Sequence, residues 1–82
     1  MSPQVKYASG AEVQIGDVVD IGAGNGPRMR VVVIIPTKQA AAGFQAAEWS
    51  YLGQGIMLQD ESTFGLLHLG ELDDEQLLVR RA

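Results

Sequence analysis

The sequence predicts a mostly β domain: a small barrel of five to six short strands, with a long insertion between the third and fourth main strands. Three observations carry that expectation. Val31 to Ile35 is an unbroken run of β-branched residues, whose stiff side chains favour strands. Apolar and polar residues alternate through Glu12 to Ile15, the period of a half-buried strand. Turn residues recur at short intervals, as at Ser9-Gly10, Gly16-Asp17 and Gly22 to Pro27. A chain of 82 residues makes a single domain over residues 1–82 with a thin core.

Met1 to Gln4 are expected to fray, and Val5 to Tyr7 to form a short first strand. Ser9-Gly10 turns the chain into Glu12 to Ile15. After Gly16-Asp17, Val18 to Ile21 reads as the next strand, with Val19 and Ile21 on one face and Val18 and Asp20 on the other. Gly22 to Pro27 is loop chemistry, because glycine and asparagine accept positive φ and proline donates no hydrogen bond. Arg30 to Ile35 follows, and its continuous apolar character predicts a strand covered on both faces near the middle of the sheet. Pro36 ends it.

Thr37 to Gly53 is alanine-rich and reads as a long connection. Gln45 to Leu52 has Ala46, Trp49 and Leu52 at helical spacing, with Gly53 suited to a C-terminal cap. Ile56 to Gln59 and Phe64 to Leu69 read as a hairpin around a polar turn at Asp60 to Thr63. An acidic turn at Gly70 to Glu75 leads to Gln76 to Arg80, a last strand or short helix. A small barrel or strongly bent sheet lets such strands share one core and hide their edges.

Ten acids against six bases give a formal charge of -4. That balance argues against a phosphate-backbone partner. Along the chain the bases are scattered, at Lys6, Arg28, Arg30, Lys38, Arg80 and Arg81. The acids Asp60, Glu61, Glu71, Asp73, Asp74 and Glu75 share one stretch without a base. There is no cysteine, which excludes disulfides and thiolate metal sites. The longest apolar run, Val31 to Ile35, is far short of the roughly 20 residues of a membrane span. No signal-peptide pattern opens the chain, so the expected location is cytoplasmic.

Val18 to Gly26, VVDIGAGNG, resembles the first motif of Rossmann-like methyltransferases, where a strand ends in a glycine-rich loop against S-adenosylmethionine. The resemblance covers those nine residues. Such a site requires the loop to open a helix. Here Pro27 and the β-branched run follow instead, which predicts a strand, loop and strand with no cofactor.

Glu12 to Ile21, EVQIGDVVDI, resembles the opening of SH3-like barrels, including the KOW-type modules of translation and transcription proteins. About a quarter of the chain takes part in that likeness. It implies a sharply bent sheet with Gly16-Asp17 at the turn. The basic loops of nucleic-acid-binding members are missing, as are the acidic loop and paired tryptophans of peptide-binding SH3 domains. The segments AEWSYLGQGIMLQ and GLLHLGE resemble small bacterial proteins of similar layout.

Candidate site residues follow from side-chain chemistry. His68 is the single histidine. Alone and without cysteine it cannot build a usual zinc site, and it reads as a hydrogen-bonded strand residue. Ser50 and Ser62 lack a nucleophile-elbow context. Asp73 and Asp74 read as a solvated cap or as groups that steer a basic partner. Trp49 and Tyr51 stand in the insertion with Phe44 and Glu48; Trp49 suits a core plug, and the group suits a partner-binding surface.

These features lead to a non-catalytic protein-binding module, in the manner of a bacterial immunity protein or antitoxin-like inhibitor that acts by occlusion. Its expected contact residues are Phe44, Glu48, Trp49, Tyr51, Asp73 and Asp74. The alternative is a KOW-like nucleic-acid-binding or ribosome-associated domain, with Arg28, Arg30 and Lys38 as its patch. A third is a homo-oligomer formed through the edge of the Ile56 to Leu69 hairpin.

Overall fold

In a computed structural model, which describes residues 5–81, the chain forms one antiparallel sheet. The expected fraying of Met1 to Gln4 lies outside those residues. The strands are β1 (Val18–Asp20), β2 (Arg28–Ile34), β3 (Gln39–Ala40), β4 (Ile56–Asp60), β5 (Leu66–Leu69) and β6 (Leu77–Arg80). Their spatial order is β5-β4-β2-β1-β6, and β3 also pairs with β2. The β-branched run therefore occupies the middle of the sheet, as its composition predicts. Gln76 to Arg80 resolves into a strand. β3 is an addition that two residues of ordinary composition do not announce.

β2 is long enough to hold two neighbours on one side. Its first half pairs with β1, Val18 opposite Arg30 and Val19 opposite Met29. Its second half pairs with β3, Val33 opposite Ala40. Along its other side runs β4, from Met29–Asp60 to Ile34–Ile56. The β2–β4 register shifts between Val31 and Val33, so Val32 is an extra residue in β2. Such a bulge bends the strand and changes which residues face which side.

The change is visible in the packing. Val31 and Ile34 join an inner core with Tyr7, Val13, Val19, Met29, Ile56 and Leu58. Val32, Val33 and Ile35 join Met57 in a second, outer core. Val31, Val33, Ile34, Ile56 and Leu58 expose 1% of their surface or less. Burying such a side chain contributes about 2 kcal/mol before entropy is counted.

The inner core is covered by the N-terminal hairpin. Val13 N–H donates to the Val5 carbonyl at 2.8 Å, and Tyr7 N–H donates to the Ala11 carbonyl at 2.9 Å. Val13 is buried and Glu12 exposed, as the alternation predicts. The pairing shrinks to one bridge, Lys6 opposite Glu12, so neither arm is a full strand.

The outer core is covered by the insertion. Gln45 to Leu52 forms two short 3-10 turns, Ala46–Glu48 and Ser50–Leu52, in place of a regular helix. In a 3-10 turn residues three apart lie one above the other. Ala46, Trp49 and Leu52 accordingly all pack on the outer core, and Gly53 caps the second turn with φ of 80°. Gly55 then passes so close to β5 that an added Cβ would overlap the Leu69 carbonyl oxygen.

The sheet is bent but open. β5 and β6 stand at opposite ends of the strand order and do not pair with each other. The mostly β expectation of five to six strands holds, and of the small barrel or bent sheet expected, the chain forms a sheet that is not closed. The ladder that would close it, between the four-residue edge strands β5 and β6, is not formed. The inner face is filled by the hairpin together with Leu72 and Leu78, which takes the place of a closing ladder. No helix among the described residues is long and apolar enough to cross a membrane.

Candidate functional site

The six residues expected to form one contact surface are divided by the fold. Phe44 and Trp49 turn inward and pack on the outer core beside Val32, Val33, Ile35 and Met57. Trp49 is thus a plug, and its indole Nε1 is buried without a hydrogen-bond partner among the described residues. Glu48 is exposed and Tyr51 is 78% exposed. Asp73 and Asp74 belong to the turn before β6. The Asp73 amide donates to Gln76 Oε1 at 2.8 Å, and Glu75 N–H donates to Asp73 Oδ1 at 2.9 Å. These two bonds close the turn that leads into β6. Asp74 borders a hollow with Tyr7, Ser9 and Leu78, beside the inner core rather than the insertion.

His68 lies on β5 opposite Met57, and its Nε2 stands 3.0 Å from the Gln54 carbonyl oxygen. The hydroxyl of Ser50 donates to the Ala47 carbonyl at 3.1 Å, and that of Ser62 to Asp60 Oδ1 at 2.7 Å. These three polar side chains are therefore engaged in local structure.

The glycine-rich loop is a β1–β2 connection, and it is occupied by the protein's own carboxylate. Asp20 Oδ1 accepts the amides of Gly22 at 2.8 Å, Gly24 at 3.1 Å and Gly26 at 3.1 Å. Converging backbone N–H groups of this kind make an anion cradle. The Gly22 amide, followed by those of Gly26 and Gly24 and by the charge of Arg28, holds the Asp20 carboxyl below the ordinary aspartate value. Gly22 and Gly26 pack so closely that a Cβ on Gly22 would lie 2.6 Å from the Gly26 Cα. The motif is thus a self-satisfied turn.

Direct cross-strand partners share a face of a sheet. The registers Val18–Arg80, Val18–Arg30, Arg30–Gln59 and Gln59–Leu66 therefore define one row across five strands. The row lies on the outer face, since Val32 and Met57 follow Arg30 and precede Gln59 by two residues on that side. The insertion covers the Val32–Met57 half of this face. The half bearing the row stays uncovered: Arg30, Arg80 and Leu66 are exposed, Leu66 by 44%.

Two features sharpen this uncovered half. At its β5 end, Phe64 is 71% exposed, with φ of 61°. A bulky side chain in the left-handed region is a backbone outlier. Asp60 shapes that turn by accepting Ser62 N–H at 2.7 Å and Thr63 N–H at 3.1 Å on Oδ1. The Ser62 hydroxyl and these amides lower the Asp60 carboxyl below its ordinary value. Phe64 borders a hollow with Arg30, Gln59 and Glu61.

At the other end, Gly16, Val18, Arg30, Arg80 and Arg81 surround a second hollow. Arginines scattered along the sequence are gathered here. Lys38 does not join them: it lies in the turn after β2 and borders a hollow with Ala46, Ala47 and Ser50. Sequence reasoning paired Arg28 and Arg30 with Lys38, whereas the fold brings Arg80 and Arg81 to Arg30. The missing signal was the β1–β6 register, a long-range pairing.

Arg81 is fixed from behind. Its Nη1 donates to Asp17 Oδ2 at 2.9 Å and to the Glu12 carbonyl at 2.7 Å. Asp17 is fully buried and also accepts the Tyr7 hydroxyl at 2.7 Å and the Gln14 amide at 2.9 Å on Oδ2. Burial, then the hydrogen bond and charge of Asp17, raise the Tyr7 phenol far above its ordinary value. No protein-family model matches the chain, and comparison with curated proteins and with solved structures finds no match.

Proposed function

We propose that the protein is a non-catalytic binding module that engages another protein through the uncovered half of its outer sheet face. The observation that carries this reading is Phe64, an aromatic side chain 71% exposed on a left-handed backbone at φ of 61°. Exposure of an aromatic ring and left-handed strain both work against folding stability, and strain of this kind concentrates at functional sites. Leu66, Gln59 and Arg30 continue the surface from Phe64. Aromatic and arginine side chains are enriched at binding hot spots. Guanidinium, amide and aliphatic groups bind rather than react, which favours occlusion of a partner's surface, as an immunity protein or antitoxin-like inhibitor does.

The KOW-like nucleic-acid reading finds support in the gathered arginines. The formal charge of -4 opposes it, because a polyanion meets long-range repulsion before it reaches a local basic patch.

Affinity capture from host lysate with the wild-type chain, Phe64→Ser and Tyr51→Ala tests the proposal. A specific protein retained by wild type and Tyr51→Ala but lost by Phe64→Ser is expected. Equal capture by all three, or capture of RNA that salt removes, would overturn it.

A further inference from the structure

The hollow over Val18 gives this surface its chemistry. Val18 is 3% exposed and forms an apolar floor. Arg30 and Arg80 stand directly opposite it on the two flanking strands. Neighbouring strands lie about 4.8 Å apart, so the two arginine backbones are separated by about 10 Å across Val18. That spacing lets two guanidinium arms converge on one group above the floor. Arg81 forms a third side, and its position is set by Asp17 and the Glu12 carbonyl.

Two of the three cations are available. Arg80 has no ion-pair partner among the described residues. Arg30 has Glu61, at 4.0 Å between two well-exposed side chains, a weak and exchangeable contact. Arg81 is already paired with Asp17, so the charge left to compensate is that of Arg30 and Arg80, and an anion between them relieves their mutual repulsion.

We propose that this hollow is a carboxylate-binding subsite that receives an Asp or Glu side chain of the partner protein. The inference rests on the binding-module reading above and specifies the partner's chemistry. A guanidinium grips a carboxylate through two parallel N–H donors. The volume, about 290 Å³, is at the small end for a ligand pocket and ample for one acidic side chain. A carboxylate is favoured over a phosphate backbone because the acidic stretch from Asp60 to Glu75 repels a polyanion, whereas one acid on an otherwise neutral or basic protein avoids that repulsion.

The test is an NMR titration that follows the Val18 methyls and the Arg30 and Arg80 side-chain N–H signals. The probes are a blocked di-glutamate peptide, its di-glutamine counterpart and inorganic phosphate, at matched ionic strength. A saturable response to the glutamate peptide is expected, weakened about tenfold in Arg30→Gln and in Arg80→Gln. Both positions are exposed, so their melting curves should match wild type.

No saturable response, an equal response to the glutamine peptide, or tighter binding of phosphate would overturn the assignment. So would a dimer in light scattering that the glutamate peptide dissociates, because the occupant would then be the acidic stretch of a second copy. Partner capture lost in Phe64→Ser but kept in Arg80→Gln overturns the subsite and leaves the binding-module reading standing. Capture lost in neither overturns the module reading itself.

Discussion

Arg81 Nη1 lies 2.9 Å from Asp17 Oδ2, joining the segment after β6 to the turn before β1. Asp17 is fully buried, while the Arg81 side chain is 39% exposed. The carboxylate depends on its donors, and its Oδ1 has no partner among the described residues. Removing one member of such a group leaves buried charge behind, which costs more than the pair itself contributes.

Arg81→Ala should therefore destabilise the fold by about 1–3 kcal/mol, the partial exposure of the arginine keeping the loss moderate. Asp17→Ala should cost at least as much, since it also strips the Tyr7 hydroxyl and the Gln14 amide of their acceptor. Urea unfolding of both single variants and the double variant measures the coupling. Additive losses would contradict it.

Tyr7 extends the same group to alkaline pH. Its phenol is raised in the folded state, so the folded chain favours the neutral form more than the unfolded chain does. That contribution is complete below the ordinary tyrosine value of 10.0 and is lost as pH rises above it. Thermal melts across this range should show a falling alkaline limb that Tyr7→Phe flattens. The variant should also lose about 1.5–3 kcal/mol at neutral pH, the worth of a hydrogen bond to a charged acceptor.

Asp20 acts at the opposite end of the pH scale. Its carboxyl is lowered in the folded state, chiefly by the Gly22 amide. Stability from this site is present above the ordinary aspartate value of 3.8 and is lost as pH falls toward the lower folded value. Asp20→Asn should flatten that acid limb. In NMR spectra the amides of Gly22, Gly24 and Gly26 should move together as Asp20 takes up its proton. Independent movement of the three would count against a shared acceptor.

Phe64→Gly should make the protein more stable and less able to bind. Glycine removes the left-handed penalty, a gain of about 1 kcal/mol. Chemical denaturation reads the gain, and partner capture reads the loss. A variant that is both more stable and fully active would remove the argument from strain.

Much of the fold was legible because local chemistry and tertiary position agree. The β-branched run from Val31 to Ile35 is central because its side chains need cover on both faces. Ala46, Trp49 and Leu52 share one side because a three-residue spacing serves a 3-10 turn as well as a helix. What stayed hidden depended on contacts between distant segments. Gly16-Asp17 reads as a turn, and nothing local announces that Asp17 is buried there with Tyr7 and Arg81 as partners. Val18 to Asp20 pairs with Leu77 to Arg80, and no local pattern in either short strand specifies that partner. The uncovered half-face was hidden for the same reason.

The extra residue at Val32 lets β2 present two successive side chains, Val32 and Val33, to the outer core. Before it, every second residue of β2 points to the inner core; after it, the parity is reversed. Substitutions within the run change one contact each. Deleting Val32 would instead remove the bulge and restore regular alternation, with Val33 and Ile35 outward and Ile34 inward, so the strand would lose its bend and one outer-core side chain. Homologous chains should therefore vary freely in the identity of these aliphatic residues while keeping their number, and length variation should be confined to the turns.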